Sequence, residues 1–361
     1  MSGSLEDELR RFGARVREQV PELLLGYDAR MADGRRGYVD QPGGRMRVRP
    51  WCDAVEIAAM FDMLPEAMTK EQWVAELRGF QDPVTGLVPE FVNGGPAARE
   101  EWYETMIVNY ALECLGSHLA HPVASAEELD AEGLVSRLEG LDWDRGAWGA
   151  GHWVDGYASC LYANRRHFGG GRELEVLLAW LDGKCDGETG MWGRWRSEDR
   201  WLQAVNGYYR LTRGTYAQFE LPLPHAERAM GTILAHGGDG EFFGSGRGDA
   251  CNVLDVVHPI WLCGRQTKRG EAEGVDWIRG RLAGTLERWV DGRGMAFDPA
   301  GDGARGEPGL QGTEMWLAII HLMADRLGLA GELRYRPRGV HRPEPGAAGA
   351  VRVRTSSSRA G

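Results

Sequence analysis

The sequence predicts an all-α protein, an (α/α)6 toroid of six outer–inner helical hairpins. Two interleaved motif series carry that prediction, each recurring about every fifty residues. Between them, charged amphipathic helical patterns alternate with largely apolar ones.

The first series opens apolar helical runs: WCDAVEIAAMF, WYETMIVNYALECL, HWVDGYASCLYA, QAVNGYYRLTRG, CNVLDVVHPIWLC and QGTEMWLAIIHLM. Each carries a small polar residue near its start: Asp53, Thr105, Asp155, Asn206, Asp255 and Thr313, spaced 52, 50, 51, 49 and 58 apart. The second series pairs a Gly with an apolar or aromatic residue shortly after it, at Gly86, Gly146, Gly190, Gly240 and Gly294. The aromatic partners are Trp148, Trp192, Phe242 and Phe297. Glycine in such connections supplies positive φ and lets backbones approach closely.

Charged patterns at 5–19, 68–80, 127–139, 172–183, 225–235 and 274–290 read as outer helices. Apolar patterns at 52–63, 102–117, 153–166, 204–219, 253–264 and 312–328 read as inner ones. Six such hairpins close on themselves around a cavity, with the Gly-rich connections gathered at one mouth. An open helical solenoid is the competing arrangement. The toroid is expected to occupy residues 1–331, and 332–361 to form a disordered Arg/Pro/Gly-rich tail.

The net charge is −11; residues 334–361 hold seven Arg and one acid, or +6, which leaves −17 on the rest. An acidic body argues against a nucleic-acid surface and favours a small-molecule or oligosaccharide substrate. The six Cys show no CxxC spacing, as expected of reduced thiols in a cytoplasmic protein. The first residues show no signal-peptide pattern, and no apolar run is long enough to span a membrane. Oligomeric state is not legible.

The six polar openers are all preferred N-cap types, so capping is their first expected role. They are also expected to ring the cavity mouth. There Asp53, Asp155 and Asp255, with Glu56, Glu104 and Glu314, would form an acidic rim whose members raise one another's pKa. Asp255 and His258 share a helix face, with Cys251 one turn earlier, a set able to shuttle a proton or bind a metal. No cofactor is otherwise expected. His152 is a second histidine candidate. Trp148, Trp192, Trp261 and Phe242 are candidates for stacking on a substrate or stabilising a cation, against a purely structural role as plugs.

Taken together, these elements resemble the terpenoid cyclase and protein prenyltransferase α/α toroids. The prenyltransferase β subunit has a repeat of Asn, a short apolar stretch, then Asp-Gly-Cys-Tyr-Ser-Phe-Trp. Here Asn252 is followed by Val253 and Leu254, then Asp255 through Trp261. That family's Gly-Gly-Phe loop before His-Thr is matched by Gly294–Phe297 before Gly312 and Thr313. The family's zinc is held by Asp, Cys and His, but Val257 and Gly312 stand where the Cys and His belong. The Asp-x-Asp-Asp and Asp-Asp-x-x-Asp motifs of the cyclases do not occur. The resemblance therefore implies a fold and a cavity rather than the family's zinc chemistry.

The leading functional expectation is acid-initiated cyclisation or related chemistry. Asp255 or another carboxylate among Asp53, Asp155 and Glu104 would be the acid. A glycoside hydrolase or polysaccharide lyase of six-hairpin type is the second expectation, needing two carboxylates across a groove. A non-catalytic binding toroid is the third.

Overall fold

A computed structural model describes residues 4–30, 34, 36–92, 95–96, 101–244 and 246–346. It is mostly helical. The helices are α1 (Leu5–Tyr27), α2 (Val48–Met60), α3 (Lys70–Gly79), α4 (Glu101–Cys114), α5 (Ala131–Glu139), α6 (Ala147–His167) and α7 (Leu174–Lys184). They continue with α8 (Leu202–Thr212), α9 (Ala226–Gly237), the short α10 (Gly240–Phe243), α11 (Ala250–Cys263), α12 (Glu271–Leu286), α13 (Leu310–Arg326) and the short α14 (Ala330–Leu333). Helix α8 runs directly into a π-helical turn, Arg213–Ala217. Three two-stranded ribbons decorate the connections.

Helix α2 packs on α4, α4 on α6, α6 on α8, α8 on α11, α11 on α13, and α13 back on α2. Around them α1, α3, α7, α9 and α12 each touch at least one of these six. The chemistry of each set explains the division. In α2 and α11 nearly every residue is buried, whereas α3 buries only Trp73 and Leu77, and α5 only Leu134 and Leu138. Helices apolar on all sides lose the most water by going inside, and those with one apolar stripe stay at the surface.

The tightest inner contact, between α6 and α8, is made by glycine. A Cβ on Gly207 would lie 2.3 Å from the carbonyl oxygen of Ala147, and one on Gly151 2.2 Å from that of Gly207. Much of the chain's glycine thus serves helix crossing as well as turns.

The polar openers are not caps. The helices begin earlier than their apolar pattern does, so Asp53, Thr105, Asp155, Asn206, Asp255 and Thr313 all lie inside helices. In α11 the N-cap is Asp249, whose Oδ1 accepts from the Asn252 N–H at 2.8 Å. Thr105 and Thr313 instead latch the preceding connection onto the helix. The Val88 N–H donates to Thr105 Oγ1 at 2.7 Å, and the Met295 N–H to Thr313 Oγ1 at 2.9 Å. Gly294 just before this latch has φ +82°, and a Cβ there would collide with Thr313.

Residues 332–346 depart from the expected free tail. The Arg336 N–H donates to the Met60 carbonyl at 3.0 Å, and the Tyr335 hydroxyl to the Leu317 carbonyl at 2.9 Å. Tyr335, Val340 and His341 are buried. A Pro/Gly/Arg composition predicts solvation, but here inner-helix carboxylates supply partners that a local reading does not contain. Residues 347–361 lie outside the described residues. Among those described, no helix is long and apolar enough to cross a membrane.

Candidate functional site

The six inner helices converge on a buried polar cluster. Asp53 and Glu56 come from α2, Glu104 from α4, Asp155 from α6, Asp255 from α11 and Glu314 from α13; none is more than 4 % exposed. The expected acidic rim is therefore an acidic interior. Three guanidinium groups lie among these carboxylates: Arg49 on α2, Arg210 on α8 and Arg213 in the π turn. Sequence reasoning nominated none of the three. The signal was available in Arg49 four before Asp53, and in two Arg inside the apolar run QAVNGYYRLTRG.

Each cation has its own partners. Arg213 grips Asp155 with two nitrogens, Nε donating to Oδ1 at 3.1 Å and Nη2 to Oδ2. Arg49 Nε donates to Asp53 Oδ2 at 3.2 Å, and its Nη1 to the Tyr103 hydroxyl. Arg210 lies over the rings of Tyr103 and Tyr209, 5.9 and 5.6 Å from their centroids, and reaches Cys251 Sγ at 3.6 Å. Aromatic faces and a thiol replace part of the water that a buried guanidinium loses.

With three cations against six carboxylates, full ionisation would leave an uncompensated buried negative charge, which is strongly unfavourable. Protons resolve the imbalance. Burial, then repulsion by Glu314 set against attraction by Arg49, pushes Asp53 up to about 7. Burial likewise pushes Glu314 up to about 7, against the opposing pull of Arg49 and Arg213. Burial, reinforced by Glu314, holds Glu56 well above the carboxylate range. Burial holds Asp255 there too, against the pull of Arg210.

Asp255 differs from the others in hydrogen bonding. It is wholly buried, and neither of its oxygens accepts a hydrogen bond from any of the described residues. One turn later on α11, His258 is buried beside Tyr209 and Trp261. Burial, then the nearby positive charge of Arg213, lowers His258 to about 3, so it is neutral.

The C-terminal segment completes the cluster. Its Val340 N–H donates to Glu56 Oε2 at 2.9 Å, and His341 Nδ1 stands 2.9 Å from both oxygens of Glu314. Arg342 Nη1 donates to Glu113 Oε2 at 2.6 Å. Beside this segment opens a cavity of about 350 Å³, whose wall includes Tyr110, Arg213, His258 and Trp261.

The other nominated residues are dispersed. Trp261 lies on this cavity, its Nε1 donating to Asp325 at 2.7 Å. His152 lies tilted beside Tyr103, with ring centroids 4.9 Å apart. Trp148 is half-buried near the start of α6, its N–H donating to Gln203 at 3.3 Å. Phe242 is half-buried against His236. Trp192 is buried, its Nε1 donating to the Leu181 carbonyl at 2.8 Å, and it borders an outer groove of about 500 Å³ with Trp143, Trp180, Trp195 and Trp201. Among the described residues, no group of three or more His, Cys, Asp or Glu is placed to hold a metal ion. All six cysteines are free.

Comparison with protein-family models, curated proteins and solved structures returns no match for this chain. The site is accordingly read from its own residues.

Proposed function

We propose that the chain is an (α/α)6 toroidal enzyme whose axial carboxylates serve as Brønsted acids. Their substrate would occupy the cavity beside His258, for acid-initiated cyclisation or related chemistry. The observation that carries this reading is Asp255, a fully buried carboxyl group with no hydrogen-bond donor on either oxygen. It sits one helical turn from a cavity wall. A carboxyl group so placed keeps its proton at neutral pH and has no internal acceptor competing for it. The cyclic order of inner-helix contacts supports the toroid, and Tyr110 and Trp261 place aromatic rings on the cavity wall for a developing cation.

The test is Asp255→Asn, which keeps the shape and removes the acidity. Wild type and variant are compared against alkenes and epoxides with and without an anionic head. Turnover lost in a variant that folds normally supports the reading; turnover retained overturns it. An infrared band of a protonated carboxyl group at pH 7, missing in the variant, checks the protonation state independently.

One observation favours the oligosaccharide reading. The outer tryptophan groove has Trp195 at 54 % exposure, flanked by the Lys184–Glu139 and Arg194–Asp144 pairs. Ring faces bordered by hydrogen-bonding groups suit sugar stacking. Oligosaccharide binding that is lost in Trp195→Ala would support that reading, and absence of any binding would remove it.

A further inference from the structure

We propose that the cavity beside the C-terminal segment binds a small organic anion, a carboxylate or phosphate monoester carrying an aromatic or short apolar body. This names the substrate class of the site above and rests on that reading for its catalytic meaning. The binding claim stands by itself on the donors of the wall.

Those donors lack acceptors. Four residues of the wall carry buried nitrogens without a hydrogen-bond partner among the described residues: Arg213 Nη1, Gln218 Nε2, His258 Nδ1 and Arg342 Nε. Arg213 and Gln218 are each at least nine-tenths buried. A buried donor without an acceptor is costly, and small rotations of these side chains would turn the four toward a ligand rich in oxygen acceptors. His258 can contribute in the tautomer that carries its proton on Nδ1.

Charge points the same way. Arg213, Arg265 and Arg342 all line this cavity of a chain whose net charge is −11. The two carboxylates on the wall do not cancel them: Glu220 is exposed, and Glu344 is paired with Arg336. Arg213 and Arg342 are already committed to Asp155 and Glu113. Among the described residues, Arg265 has no carboxylate partner, and it rests over the Trp261 ring at 4.9 Å. It is a cation available to close on an anion at the entrance. Apart from Gln266, the remaining wall, including Tyr110, Tyr216, Leu221, Leu262 and Trp261, is apolar or aromatic. A volume of about 350 Å³ falls at the small end of ligand sites.

The experiment is calorimetric titration of the full chain with benzoate, phenyl phosphate, inorganic phosphate and benzyl alcohol, at low and high salt. Benzoate or phenyl phosphate should bind, more weakly at high salt, and the stronger of the two identifies the head group. Inorganic phosphate and benzyl alcohol should each bind at least about tenfold more weakly, since each lacks one half of the recognition. Arg265→Gln should weaken anion binding about tenfold, the loss of one charge-assisted hydrogen bond, and Arg265→Glu should abolish it. Both substitutions are on an exposed side chain and leave the fold intact. Equal binding of benzyl alcohol, unchanged affinity in Arg265→Glu, or no binding of either organic anion overturns the proposal. Asp255→Asn should still bind the anion, so a failure of the acid reading and a failure of this one are separable.

Discussion

His341 stands with Nδ1 2.9 Å from both carboxylate oxygens of Glu314, and both side chains are buried, at 3 % and 1 % exposure. The segment that composition marks as a tail thus provides an interior partner to an inner helix. Burial, followed by the positive field of Arg213 and Arg49, holds His341 well below the ordinary histidine range, so the ring is neutral. One proton shared between imidazole and carboxyl then satisfies both groups. His341→Ala removes the partner and strands Glu314. The expected loss is about 1–3 kcal/mol, read as a lower midpoint in urea unfolding. A variant as stable as wild type would show that the segment only rests on the body.

The raised carboxylates predict a pH dependence of stability. Asp53 and Glu314 are each pushed up to about 7 in the folded chain, from ordinary values near 4 in the unfolded one. Between those values the folded state holds more protons, so each group's contribution is complete below about pH 4 and is lost as pH rises through about 7. The slope approaches about 1.4 kcal/mol per pH unit per group as an upper limit. His258, lowered to about 3, works oppositely, its contribution complete above about 6.5 and lost toward acid. The clean measurement is therefore a difference. Relative to Glu314→Gln, wild type should lose stability between about pH 4 and pH 7. Parallel stability curves would refute the raised value.

Two aspartates that look alike in the sequence should respond differently to the same substitution. Asp155→Asn breaks the two-nitrogen grip of Arg213 and leaves a guanidinium buried at 5 % side-chain exposure without its counter-charge. Breaking a buried pair in this way costs about 3–5 kcal/mol. Asp255→Asn swaps a protonated carboxyl, bound to no donor, for an amide of the same shape. Its cost should stay within about 1 kcal/mol. Chemical unfolding of the two variants side by side checks this, and equal losses would show that Asp255 is also held as a structural ion.

The alternation of charged and apolar helical patterns is enough to separate the largely buried helices from the half-exposed ones, because burial of an all-round apolar helix is a property of that helix alone. The carboxylates Asp53, Asp155, Asp255 and Glu314 were legible as polar interruptions of apolar runs. The expectation of a cap at Asp155 fails because Gly146, Gly149 and Gly151 look like a turn while belonging to the start of α6 or its cap. That placed the helix start too late and made an interior Asp look like a cap. The pairings of Arg213, Arg342 and His341 are not legible, since each depends on a partner from a distant part of the chain: Arg213 on Asp155, 58 positions away, and Arg342 on Glu113, 229 away. Pairing across such separations follows from the packing of the helices, which local pattern does not encode.

Glycine gives the sharpest test of that packing. Gly207 on α8 and Gly231 on α9 are both helix-interior, and on helix propensity alone alanine should stabilise each by about 0.5–1 kcal/mol. At Gly231 no described atom outside the helix's own backbone and the adjoining residues lies within 4 Å of a new Cβ, so Gly231→Ala should raise the melting temperature. At Gly207 the Cβ would lie 2.3 Å from the Ala147 carbonyl oxygen and 2.7 Å from its carbon, both main-chain atoms that cannot rotate away. Helices α6 and α8 would have to separate, and overpacking of this kind costs about 1–3 kcal/mol. Separation would also pull on the Arg213–Asp155 pair, which joins α6 to the π turn that continues α8. Gly207→Ala should therefore lower stability while Gly231→Ala raises it. Thermal unfolding of both variants decides the matter, and a stabilised Gly207→Ala would mean that α6 and α8 do not cross this closely.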